Sequence, residues 1–225
     1  TDILNACFAD YLVPVTQSVE GFVQRFSAEG MSLIDSRVWL AGDELAAIAI
    51  VARRGNMARL AAFALRPAWR GKGLARKLMQ ELLMLLQQQG IETVSLEVIR
   101  DNHVAVALYQ SLGFTRRYGL CGYLSAEPQA AAPGVLQPYP TLALLRRAVE
   151  ESNSQLPWLM DPLTFATLPC RVVTLEQRAF AVLGTSGSRP VLQFLWVEPA
   201  ARRQGLARAL LMALAQQFPG IGTSV

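Results

Sequence analysis

Seven residues concentrate the chemistry of this chain: Arg70-Gly71-Lys72-Gly73-Leu74-Ala75-Arg76. A strand-like segment ending in Pro67 precedes them, and a strong series of helix formers follows at once. A helix starts with backbone N–H groups that have no acceptor inside it, and its dipole puts partial positive charge at the same end. Together these hold an anion such as a phosphate. Gly71 and Gly73 allow a sharp turn and a close approach of ligand to main chain. Arg70, Lys72 and Arg76 add full positive charge. The plain alternative is a strand-to-helix turn with exposed basic groups. Two better-known phosphate loops do not fit. The Gly-x-x-x-x-Gly-Lys-Ser/Thr pattern is absent, and "GKGLAR" lacks the third glycine of a dinucleotide turn.

The elements that must position this turn alternate between strand and helix. Helical spacing predicts a helix over 18–30, stopped by Gly30. Strands are expected at 36–41, 44–54 and 57–67, separated by Gly42-Asp43 and Gly55-Asn56 turns. A helix is expected over 73–89, with Leu74, Leu78, Leu82 and Leu85 on one side and Gly90 behind it. Then come a strand at 93–99, a helix from an Asp101 or Asn102 cap to Leu112 with Gly113 closing it, and a last strand at 114–125. The implied class is α/β with a mixed sheet.

Residues 126–140, rich in Pro, Ala and Gly, read as a linker between a domain at 1–125 and a second part at 141–225. That second part predicts a helix at 141–152, one or two strands over 171–184, a strand at 190–199 and a glycine-led helix at 202–218. It repeats the first. "FALRPAWRGKGLARKL" and "LWVEPAARRQGLARAL" align in register, so that Arg70, Gly73, Leu74, Ala75 and Arg76 match Arg202, Gly205, Leu206, Ala207 and Arg208 at a spacing of 132 residues. A spacing that long belongs to a duplicated domain. The copy departs at Arg203, which stands where Gly71 would be. It stops at "GIGTSV", where a fifth strand would begin, and so reads as degenerate or truncated. An unfinished sheet would offer an edge to the other half or to another chain, as in a homodimer.

Composition excludes several classes. The net charge of +4 divides evenly, with 13 basic and 11 acidic residues in 1–125 and 8 and 6 in 126–225, so no basic tail for nucleic acid is present. The scattered Cys7, Cys121 and Cys170 and the lone His103 show no metal-ligand spacing. The apolar runs are too short and interrupted to span a membrane, and the start does not read as a secretory signal, so a cytoplasmic setting is expected. The four tryptophans read as packing residues.

Arg70-x-x-Gly73-x-Ala75 resembles the Arg/Gln-x-x-Gly-x-Gly/Ala signature of the GNAT acetyltransferases. "LEVIRDNHVAVALYQSLGF" at 96–114 resembles the same family's later cofactor region, with Asn102, Ala105, Leu108, Tyr109, Gly113 and Phe114 in place. The resemblance covers about residues 10–125. It implies that backbone amides from Arg70 through Gly71, Lys72, Gly73, Leu74 and Ala75, with Arg76 close behind, hold the pyrophosphate of acetyl-CoA. It implies that Ala64, Leu65 and Arg66 pair with the pantetheine arm, which enters a splay between two strands. Asn102 would hydrogen-bond the cofactor and Tyr109 would approach its sulfur. The expected reaction is direct transfer of acetyl from acetyl-CoA to the primary amine of a small molecule or peptide.

Tyr109 is the candidate general acid for the departing thiolate, against a reading as a satisfied core tyrosine. Glu97 is the candidate base. It interrupts an apolar strand and precedes Tyr109 by twelve residues, as in the branch that acetylates protein N-terminal alanines. The competing reading turns Glu97 outward or pairs it with an arginine. Ordered water in place of a single base also stays open. His103 reads as an exposed first-turn residue. The alternative function is a catalytically silent acyl-CoA-binding sensor or scaffold.

Overall fold

The computed structural model describes residues 2–11, 18–121, 134–151, 156–185 and 189–223. The chain divides into two units, Thr1–Tyr118 and Gly119–Val225. The expected mixed α/β architecture is present in each.

The first unit opens with α1 (Asp2–Phe8) and α2 (Val19–Glu29). Ser18 caps α2 by accepting from the Gly21 amide at 3.0 Å, and Gly30, at φ 70°, ends it. Strands β1 (Met31–Ala41), β2 (Glu44–Arg54) and β3 (Met57–Leu65) then form an antiparallel meander. Gly42 and Gly55 supply the positive φ of its two turns. β2 is central and buried on both faces over 46–52, which is why "AAIAIVA" is continuously apolar and does not alternate. α3 (Leu74–Gln88) returns the chain so that β4 (Thr93–Ser95) pairs parallel to β3. α4 (His103–Ser111) follows, stopped by Gly113 at φ 89°. The sheet order is β1-β2-β3-β4. Its core joins Ala49, Val51, Ala58 and Leu60 of the sheet to Met79, Leu82 and Leu86 of α3.

Several boundaries differ from expectation. β1 starts at Met31 instead of residue 36, because Ser36 carries the ladder across an irregularity. Its hydroxyl donates to the Ser32 carbonyl and accepts from the Val51 amide. The fully buried residues of α3 are Met79, Leu82 and Leu86; of the expected row Leu82 is among them, and Leu74, Leu78 and Leu85 are half-buried. The strand expected at 93–99 pairs only as far as Ser95, because the chain parts from β3 there. Residues 114–121, expected as strand, join no ladder, and 122–125 lie outside the described residues.

The second unit runs β5 (Gln137–Tyr139), α5 (Thr141–Glu151), α6 (Pro162–Phe165), β6 (Cys170–Leu175), β7 (Ala179–Gly184), β8 (Val191–Val197), α7 (Leu206–Gln217) and β9 (Gly222–Thr223). Its sheet follows chain order, β5 to β9, with β9 parallel to β8. β5 lies within the stretch read as linker and pairs with β6; residues 126–133 of that stretch lie outside the described residues. β9 pairs parallel to β8 from Gly222, at the place where a fifth strand was expected to begin. Phe180, Val182, Phe194, Trp196, Leu144 and Phe165 form one core cluster, in which tryptophan packs as expected. Among the described residues no helix is long and apolar enough to cross a membrane.

Candidate functional site

Pro67 ends β3 by fixing its own φ and starting a short 3-10 turn, Pro67–Trp69. The chain then extends at Arg70 and takes positive φ at Gly71 and again at Gly73, both 73°. An added Cβ at either glycine would meet nothing within 4 Å, so the requirement for glycine is the left-handed backbone and not local crowding. Gly73 is the N-cap of α3 and has no side chain with which to cap it. Among the described residues no acceptor meets the amides of Gly71, Lys72, Gly73, Leu74 or Ala75. The turn thus presents consecutive donors on an exposed surface at the positive end of a fifteen-residue helix.

The basic residues divide by role. Lys72 is exposed and holds its ammonium 5.1 Å from the Trp69 ring centre; Arg76 is exposed on the first turn of α3. The Arg66 guanidinium donates to the Leu45 carbonyl. Arg70 is committed elsewhere. Its Nε donates to the Leu65 carbonyl at 2.9 Å, Nη2 to the Cys7 carbonyl at 2.9 Å, and both Nη atoms to Asp10 at 2.6 and 2.9 Å. Its amide is also used, donating to the Pro67 carbonyl. The same hydrogen bond with Arg70 holds the Asp10 carboxyl below its usual pKa. Arg70 therefore locks the shape of the turn.

The second unit repeats this geometry. Pro199–Ala201 form the short turn, the Arg202 Nε donates to the Val197 carbonyl at 2.9 Å, and Gly205 caps α7 at φ 84°. Arg203 holds φ 62°, the left-handed conformation that Gly71 takes in the first unit. The backbone takes the same turn even where arginine stands in place of glycine.

β3 supplies one wall of the site. Among the described residues it has no parallel neighbour past the Arg59–Ser95 pair, so Leu60 and Ala62 through Leu65 pair with β2 alone. Ala61 is bulged out of that ladder, between pairs Ile50–Ala62 and Val51–Leu60. Glu97 stands two residues beyond the parting point. Its side chain is about a third exposed, at 31%, and its Oε2 accepts from the Arg59 Nε at 2.8 Å and meets Nη2 at 2.7 Å. The competing expectation for Glu97, a pair with an arginine, describes its surroundings. Arg59 is 6% exposed and donates its Nη1 to Glu29 Oε2 at 2.9 Å; Glu29 meets Arg25 at 2.6 Å. Sequence reading missed Arg59, though the signal that marked Glu97 also marks it: a charge inside an apolar strand.

α4 positions the remaining two residues. Asn102 is its N-cap, with Oδ1 accepting from the Ala105 amide at 3.2 Å. Tyr109, two turns on, packs against the cluster that holds Ala58, Leu60 and Met79, edge-on to Phe114. Burial, with a smaller push from Tyr11, raises its phenol to about 12. His103, the first residue of α4, is exposed.

Residues 3–114 match the model of the Acetyltransferase (GNAT) family. The [Ribosomal protein bS18]-alanine N-acetyltransferase of Salmonella typhimurium is 40% identical over 74 residues, which is 33% of this chain and 50% of that protein. A mycothiol acetyltransferase of Renibacterium salmoninarum is 48% identical over 50 residues, 22% of this chain and 15% of that one. The solved ribosomal-protein-S18-alanine N-acetyltransferase of Escherichia coli aligns over 46% of this chain and 77% of its own, with 24% identity and a TM-score of 0.35. The chain thus spans at most half the length of these two curated relatives.

Proposed function

Because its first unit belongs to the GNAT acetyltransferase family, we propose that the chain transfers an acetyl group from acetyl-CoA to a primary amine by direct attack. Five consecutive amides without acceptors, at the start of α3 and the end of a half-paired strand, carry this reading. They form a diphosphate cradle from Gly71 through Ala75, with the exposed Lys72 and Arg76 as its cations. Arg70 belongs to the site as the brace that shapes the cradle. The edge of β3 at Ala64 and Leu65, with Arg66 next in the chain, is the wall for the pantetheine arm, and Asn102 sets the start of α4, which carries Tyr109.

Acetyl-CoA supplies an activated acyl group as a thioester. The protein then has two protons to manage. Tyr109 keeps its proton at neutral pH and donates it to the leaving sulfur. Glu97 uses the oxygen that Arg59 leaves free, Oε1, to take the proton that the amine must lose, directly or through water. As the amine nitrogen bonds to the acyl carbon the C–S bond breaks, and thiol and amide are the products.

The acceptor favoured is a peptide amine, in keeping with relatives named for an alanine of ribosomal protein bS18. The second unit is read as a GNAT-like partial copy that supports the first or shapes the acceptor's approach. Thiol release from acetyl-CoA, followed with a panel of N-terminal-alanine peptide, lysine peptide, free amino acids and a polyamine, tests the function. Amine-dependent release is expected. A chain that binds CoA, seen as a thermal shift, yet releases no thiol above background would be a sensor or scaffold.

A further inference from the structure

Four side chains form a connected set of charges in the first unit. Arg25 and Glu29 pair along α2, Glu29 meets Arg59 on β3, and Arg59 meets Glu97 just past β4. The middle of this set is buried, with Glu29 at 4% and Arg59 at 6% exposure, while Glu97 remains partly open. We propose that Arg59 is a positioning residue for Glu97, gripping one carboxylate oxygen so that the other is held ready for the acceptor's proton. The inference rests on Glu97 being the proton acceptor proposed above.

Three observations carry it. The ladder between β3 and β4 ends at Arg59–Ser95, so nothing in the sheet fixes the main chain at Glu97. The side chain must be fixed in another way, and Arg59 provides it. Its Nε and Nη2 both fall on Oε2, leaving Oε1 without a partner among the described residues. Arg59 is itself immobilised, because Glu29 takes its remaining arm and Arg25 holds Glu29. A guanidinium can serve two carboxylates at once because its donors form a rigid planar fork, which an ammonium lacks. Stability alone does not account for the outer pair. Burying Arg59 requires a counter-charge, which Glu29 already supplies, and a partly exposed pair adds little.

A double-mutant cycle in the intact chain tests the proposal. Glu97→Gln keeps the shape and removes the base; a loss in kcat of about 100-fold is expected. Arg59→Met should lower kcat by roughly 30-fold in the wild-type background and by less than about twofold in the Glu97→Gln background, because it acts through Glu97. Should Arg59→Met fail to fold, Arg59→Lys, which keeps the charge, should show the same background dependence with a drop of roughly fivefold. CoA affinity, measured by titration, should stay within about twofold throughout. Equal losses in both backgrounds would make Arg59 structural and overturn the inference, as would a Glu97→Gln enzyme at wild-type speed. No turnover by the wild-type chain with any amine would instead overturn the acetyltransferase reading itself.

Discussion

A phenol raised to about 12 is a poor phenolate and a persistent proton donor. If Tyr109 protonates the leaving sulfur, it does so across the whole neutral and mildly alkaline range, and kcat should show no falling limb of its making below about pH 10. Tyr109→Phe keeps the ring against Phe114 and the Leu60 cluster and removes only the proton. A fall in kcat of about 100-fold, with acetyl-CoA affinity within about twofold, is expected from initial rates and CoA titration. The opposite split, weaker binding with kcat intact, would leave Tyr109 a packing residue. The same shift has a stability signature. The folded phenol titrates above the unfolded one, so its contribution is complete below about pH 10 and is lost as pH rises towards about 12. Thermal melting over that window should fall less steeply in Tyr109→Phe than in wild type.

At the scale of the element, two helix starts decide the site, and local sequence announces both: Gly73 leaves the first amides of α3 open, and Asn102 closes the start of α4. Asn102 accepts from Ala105 and so sets where α4 begins. Asn102→Ala should lose about 1 kcal/mol of stability in denaturant unfolding. It should also reduce kcat, because Tyr109 rides on the same helix. These stops and turns were legible because they are short-range: Gly30 after α2, Gly42 and Gly55 in the meander, Gly113 after α4. The sharp turn at Gly71 and Gly73 was legible for the same reason. What could not be read depends on partners far along the chain. The length of β4 is set by where it parts from β3, not by the β-branched residues of "TVSLEVI", which would suit a longer strand. Arg59 meets Glu97 across 38 residues and Glu29 across 30. Arg70 read as a phosphate-binding charge because its acceptors, Cys7 and Asp10, lie on and just after α1, a seven-residue helix too short to show a period.

At the scale of the whole molecule, the question is whether two copies of one turn make two sites. The backbone answers one way, because Pro, Arg and Gly recur in the same conformation. The side chains answer the other way. Arg203 spends roughly 1–2 kcal/mol on a left-handed conformation that Gly71 adopts freely. Arg203→Gly should therefore raise the stability of the second unit by up to about 1 kcal/mol in denaturant unfolding, after the entropic cost of glycine. Glu198 takes the place of Arg66 and is committed to Arg147 at 2.7 Å, so a carboxylate stands before the turn where the first unit has a cation. Val191 takes the place of Arg59, so the charge network that holds Glu97 has no counterpart there. One coenzyme per chain, in the first unit, is the expected outcome. Gly73→Val and Gly205→Val apply the same insult to the two turns, a β-branched residue forced to positive φ. Gly73→Val should remove CoA binding and turnover. Gly205→Val should leave both within about twofold while costing the second unit of order 1–2 kcal/mol. Calorimetric titration of the intact chain with CoA checks the count, and a stoichiometry of two, or a loss of turnover in Gly205→Val with the fold retained, would show that the second turn is a working site.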